Sequence, residues 1–212
     1  MSWSWEGEDI LTGKICADYL GVKEGFYVDV GAHHPLALSN THVLYKRGWR
    51  GINIDAMPGS MVAFAQYRPE DRNIECAVSL KPSTMMFSMF DDAGLNGFLP
   101  QAMIDSHVRR GCKLVGQTPV TTKPLSQILD EADAPTTIDM MDVDVEGLDI
   151  EVLESNDWNR WRPKVILAEI LGCSDVRSVM NSDVAKYLEG RNYRLFSRLH
   201  FSSLFMDAAL VR

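Results

Sequence analysis

The 212-residue chain sets 21 Lys and Arg against 29 Asp and Glu, a formal charge of −8 that excludes the concentrated basic face of a broad nucleic-acid footprint. With 46% hydrophobic and 24% charged residues it has a globular composition, long enough for one well-cored domain and short for two. Cys16, Cys76, Cys112 and Cys173 form no C-x-x-C pair, which predicts free thiols in a reducing compartment; with no signal-peptide pattern at "MSWSWEGEDI" and no apolar run near the roughly 20 residues of a membrane helix, a cytoplasmic protein without a membrane span is expected.

Along the chain, strands alternate with helices. "GFYVDVGA" (25–32) is nearly continuous in apolar residues, as a buried parallel strand is. "NTHVLYKRG" (40–48) has helical spacing with Gly48 as its cap, and "WRGINID" (49–55) is a second strand that again ends on an acid. A helix over "SMVAFAQYR" (60–68) is stopped by Pro69, and "NIECAVS" (73–79) is a third short strand. Residues 81–124 break the rhythm with Met-rich stretches, four glycines and the basic cluster Arg109, Arg110 and Lys113; an insert of this length is expected on the substrate side of the domain. "LSQILDEA" (125–132) returns to a helix. "TIDMMDVDV" (137–145) is a strand running into the amphipathic helix "EGLDIEVLES" (146–155). "KVILAEI" (164–170) is the fifth strand, "VRSVMNSDVAKYLEGR" (176–191) one helix capped by Gly190, and the last 20 residues a terminal hairpin. This pattern predicts a doubly wound, Rossmann-like α/β domain over 1–212, with about seven mostly parallel strands and one antiparallel strand near the end.

Ligands of such sheets sit at the carboxyl ends of the strands, and here acids recur at those ends: Asp29, Asp55, Asp142, Asp144, Glu146 and Glu169. Buried carboxylates are costly unless they bind something. An acid closing the second strand, Asp55, is placed to accept both hydroxyls of a ribose, and Gly31 lets the backbone approach a ligand. However, "GAHHP" lacks the G-x-G-x-x-G grip on a diphosphate, which points to a cofactor with an adenosine and no diphosphate, S-adenosylmethionine above all, or to a merely structural turn. Adjacent His33 and His34 cannot easily face one ion, so they are expected as loop residues near the cofactor.

In "DVDVEG" (142–147), period-two alternation puts Asp142, Asp144 and Glu146 on one face; Glu146 could instead open the following helix. Glu169 is expected beside Asp144. Two such carboxylates can orient a hydroxyl, accept its proton, or hold a divalent cation such as magnesium. Arg109, Arg110 and Lys113 are either a solvated face or a grip on an anionic group of the substrate.

Together, "EGED" (6–9), "GFYVDVGAHHP" with "SNT" (39–41), "GWRGINID" (48–55), "DVDVEGLDIEVL" (142–153) and "RPKVILAEI" (162–170) resemble the FkbM family of S-adenosylmethionine-dependent methyltransferases. The resemblance implies that Asp29, Gly31, Ala32 and His33 form the cofactor loop, with Asp55 and Ala56 at the ribose, Ala77 and Val78 at the adenine, and Asp142 completing that set. Asp144, Glu146 and Glu169 would lie at the site of methyl transfer. Where relatives often carry Gln this chain has Trp5, so a polar role there is not carried over. The expected function is O-methylation of a hydroxyl on a sugar, nucleotide sugar or glycan. A nicotinamide-dependent oxidoreductase or a non-catalytic nucleotide-binding module of the same fold are the alternatives. The expected partner is a small-molecule or glycan acceptor, and the sequence leaves room for a homo-oligomer.

Overall fold

The structure, a computed structural model, describes residues 2–211. The main sheet has seven strands: β1 (Phe26–Val30), β2 (Arg50–Asp55), β3 (Arg72–Glu75), β7 (Met140–Val143), β8 (Val165–Glu169), β9 (Tyr193–Arg198) and β10 (Ser202–Asp207). Three further strands, β4 (Ala77–Val78), β5 (Ser83–Phe90) and β6 (Leu114–Lys123), form a separate small sheet. The order in the main sheet is β3-β2-β1-β7-β8-β10-β9, and β10 runs antiparallel to both of its neighbours. The strand order reverses between β1 and β7, so a crevice opens at their carboxyl ends.

Helices cover both faces because the strands bury side chains on both. Val28, Val30, Met141, Val143, Ile166 and Ala168 share one core with α5 (Leu125–Glu131), α6 (Asp149–Glu154) and α8 (Asp183–Glu189). Tyr27, Met140, Val165 and Leu167 point the other way, against α1 (Glu8–Lys14), its π-helical continuation Ile15–Tyr19, and α2 (His42–Lys46). The second face decides the site. Along β1 it runs Tyr27, Asp29, Gly31, and along β7 Met140, Asp142, Asp144, with Asp29 level with Asp142. Apolar residues hold the middle of the sheet; acids take over at its carboxyl end.

Several boundaries differ from the sequence expectation. The predicted third strand is two strands: β3 leaves the main sheet after Glu75, which pairs with Asp55, and Ala77–Val78 joins the small sheet by pairing with β6. The insert 81–124 carries elements of its own: β5 and β6 pair antiparallel through eight register positions, with α4 (Gln101–Arg109) between them. The predicted helix 176–191 is α7 (Val176–Met180) and α8, split where Ser182 caps the second. Gly190 is the C-cap residue of α8 but keeps right-handed backbone (φ −61), and Asn192 (φ 61) makes the left-handed exit. All four cysteines are free thiols. Among the described residues, no helix is long and apolar enough to cross a membrane.

Candidate functional site

A cleft of about 400 Å3 lies over the carboxyl ends of β1, β2, β7 and β8. Its floor brings together Asp29, Gly31, Ala32, His33, Asp55, Ala56, Ala77, Val78, Asp142, Asp144, Glu146 and Glu169, residues spread over 140 positions of sequence. The small sheet and the turn that follows β5 form one wall, with Phe87, Asn96 and Phe98. Trp5, Glu8, Phe201 and Ser202 close the opposite side.

The floor is held from the backbone outward. After β1 the chain turns through Gly31 at φ 87, where an added Cβ would sit 1.7 Å from the Asp144 carbonyl oxygen. Gly31 is therefore needed where two loops cross, a tighter constraint than approach to a ligand. Asp55 is aimed by two backbone donors: His33 N–H reaches Oδ2 at 2.8 Å and Met57 N–H reaches Oδ1 at 2.7 Å. Each oxygen keeps a lone pair for a further donor in the cleft. His34 turns inward, its Nδ1 accepting from Leu36 and Ala37 N–H at 3.1 and 3.0 Å, and burial with His33 and Arg68 nearby holds its pKa below the usual range. His33, with φ 53, faces the cleft.

Strand β7 ends at Val143, and the next turn is left-handed at Glu146 (φ 55) and Gly147 (φ 96). Asp149 fixes it by accepting from Val145 N–H at 3.3 Å and Gly147 N–H at 3.1 Å. Glu146 therefore lies before α6, not in its first turn. Because β7 and β8 are neighbours, Asp144, Glu146 and Glu169 each bring one carboxylate oxygen to within 4.8 Å of the others. Buried atoms Asp142 Oδ1 and Glu169 Oε2 have no protein partner.

Electrostatically the cleft is one-sided. Seven acids line it (Glu8, Asp29, Asp55, Asp142, Asp144, Glu146 and Glu169), and among the described lining residues there is no Lys or Arg. Desolvation is the main cause that raises the pKa values of Asp29, Asp142, Asp144, Glu146 and Glu169, and neighbouring carboxylates add to it. The guanidinium of Arg198, which interacts electrostatically with Glu169, donates to the carbonyls of Phe201, His200, Ile170 and Cys173 and to Ser203 Oγ.

Arg109, Arg110 and Lys113 do not join this site. They are exposed at the end of α4 and just beyond it, and none of them lines the cleft. The helix buries Ile104 and so turns its arginines to solvent. Glu8 and Trp5, which the sequence expectation did not place among the site residues, do join it. Glu8 accepts from Glu6 N–H at 2.7 Å and Ser202 Oγ at 3.2 Å, and Trp5 stands 72% exposed at the mouth. Ser2, Trp3 and Ser4 are gathered onto Asp9, which gives the segment before α1 its shape.

The order and directions of the strands, with a cleft at the switch point, define a Rossmann-like methyltransferase fold. The chain matches the methyltransferase FkbM domain over residues 29–195 and belongs to that family. Among solved structures it is similar to methyltransferase FkbM from Methylobacillus flagellatus KT, with a TM-score of 0.52 and 15% sequence identity. That likeness, which bears on the fold, covers 87% of this chain and 44% of the other, so this chain spans less than half the length of that protein. No curated protein matches it.

Proposed function

We propose that the chain is an S-adenosylmethionine-dependent O-methyltransferase acting on a hydroxyl of a sugar, nucleotide sugar or glycan. The observation that carries the cofactor is the cleft's charge: among the described residues, seven acids and no Lys or Arg line it. S-adenosylmethionine brings a sulfonium and an ammonium, which offset carboxylates crowded in a poorly solvated place. A nicotinamide dinucleotide brings a diphosphate, for which the described lining residues offer no Lys or Arg and the turn after β1 no glycine-rich cradle.

The residues present fit the cofactor. Asp55, pinned by His33 and Met57 N–H groups, would accept from the ribose hydroxyls, with Ala56 beside it. Ala77 and Val78 would border the adenine. Asp29, Gly31, Ala32, His33 and Asp142 would surround the amino-acid end, where the free Asp142 Oδ1 suits an ammonium. Bound there, the cofactor supplies an electrophilic methyl group. The chain's own task is to place the acceptor oxygen and take its proton. Asp144 accepts that proton, a role aided by the raised basicity that burial and Glu146 give it. Glu146 and Glu169 orient the hydroxyl, and holding the two reactants in line contributes much of the rate.

The same three carboxylates have the oxygen-donor chemistry for a divalent cation such as magnesium, with Asp144 and Glu169 as ligands. Activity unchanged after exhaustive EDTA treatment rejects that version. For the main proposal, S-adenosylhomocysteine is expected to bind by calorimetry, NAD not to bind, and Asp55→Ala to abolish cofactor binding. Undiminished binding by Asp55→Ala sinks the cofactor placement. Release of S-adenosylhomocysteine in the presence of a sugar panel tests the acceptor class.

A further inference from the structure

Arg68 follows α3 (Ser60–Tyr67) and is completely buried, beside the faces of Phe64 and Tyr45. Its guanidinium makes five hydrogen bonds, and every acceptor is uncharged. Nε and Nη2 reach Pro35 O at 3.0 and 2.7 Å, and Nη2 also reaches Ser39 Oγ at 2.6 Å. Nη1 reaches Thr41 Oγ1 at 2.7 Å and Asn53 Oδ1 at 3.2 Å. A charge hidden from water without a carboxylate in contact is expensive, and an apolar side chain would fill the space at lower cost.

What the arginine holds accounts for it. Pro35, Ser39 and Thr41 belong to the connection between β1 and α2, the segment that supplies Gly31, Ala32, His33, Leu38 and Asn40 to the cleft. Thr41 Oγ1, while accepting from Arg68, donates its own proton to Asp29 Oδ2 at 2.5 Å. Asp29 has Asn53 on one side and Asp142 on the other, with Asp55 and Asp71 acting on it through space and the Arg68 guanidinium opposing them. Among the described residues Thr41 is the one side chain that donates to this carboxylate, through Oδ2, which leaves Oδ1 for a ligand.

We propose that Arg68 is a positioning residue for the cofactor end of the cleft. Through Thr41 it sets how the Asp29 carboxylate faces the ligand, and through Pro35 and Ser39 it shapes the loop that lines the site. The inference deepens the cofactor assignment above and rests on it for its binding readout.

Thr41→Val removes the relay while keeping the volume of the side chain. It is expected to weaken S-adenosylhomocysteine binding by about 10- to 100-fold, the effect of one lost hydrogen bond to a charged group. It is also expected to move the titration of Asp29 upward in carbon-13 NMR spectra of the ligand-free protein. Thr41→Ser, which keeps the hydroxyl, should restore both, and Arg68→Lys should fall between. Wild-type affinity and an unchanged Asp29 titration in a folded Thr41→Val protein would overturn the proposal. So would Arg68→Met lowering the melting temperature and nothing else. If the wild-type protein binds no S-adenosylhomocysteine, the cofactor assignment fails, and the Asp29 titrations in the ligand-free variants still decide the relay.

Discussion

Asp144 sits one residue past β7, level with the end of β8, and its carboxylate meets those of Glu146 and Glu169. As the proposed base it needs its proton off, and burial beside other acids raises its pKa above the ordinary carboxylate value of about 4. The rate of methyl transfer is therefore expected to rise with pH along a limb displaced above about pH 4, because the unprotonated form is the active one. Asp144→Asn should lower kcat by about 10²–10⁴-fold while S-adenosylhomocysteine affinity stays near wild type. Full activity in that variant, or an acid limb at the value of a free aspartate, removes Asp144 from the role. The acids at the strand ends could be read from the sequence because period two and strand length locate them. Arg68 and Thr41 could not: "SMVAFAQYR" shows an arginine at the end of a helix, and only packing turns it inward to Asn53 and Pro35.

Secondary elements were legible where one local pattern dominates. Strands β1, β2, β7 and β8 follow from apolar runs that sheets buried on both faces require, and the split between β9 and β10 from the absence of a helix between them. The break between α7 and α8 follows instead from capping. Ser182 Oγ accepts from Ala185 N–H at 3.2 Å, and Asp175 with Ser178 forms a capping box at the start of α7. Helical spacing across 176–191 predicts one helix and masks this restart. Ser182→Ala should destabilise the fold by about 1 kcal/mol in chemical denaturation, with cofactor affinity unchanged. An unchanged midpoint would mean that packing of Val184, Ala185 and Leu188, not the cap, sets where α8 begins.

Across the molecule, the concentration of acids in one cleft links folding to pH. Burial raises Asp149 to about 6, so between about pH 4 and that value the folded chain holds a proton that the unfolded chain releases. Stability present below that window is lost as pH rises through it. Asp142, Asp144 and Glu169, also raised, carry the loss further upward. The ligand-free protein should therefore melt at a lower temperature at about pH 8 than at about pH 5, and Asp142→Asn should flatten the difference. S-adenosylhomocysteine should recover part of the loss at the higher pH, since its ammonium offsets the acids. A flat or rising melting temperature over that range would show that the cluster does not retain its protons.

From residue order alone came the alternating α/β architecture, the antiparallel strand near the end, and the acids at the tips of β1, β2, β7 and β8. These depend on periodicity, which is local. Tertiary structure decided which of those acids meet, because neighbours in the sheet need not be neighbours in the chain: β1 lies between β2 and β7, and Asp144 reaches Glu169 across β7 and β8. It also decided that Gly31 is demanded by the Asp144 carbonyl, that Arg109, Arg110 and Lys113 face solvent, and that a buried guanidinium stands behind Asp29. Burial and contact between distant segments arise only when the sheet is assembled, and the charge of the cleft arises with them.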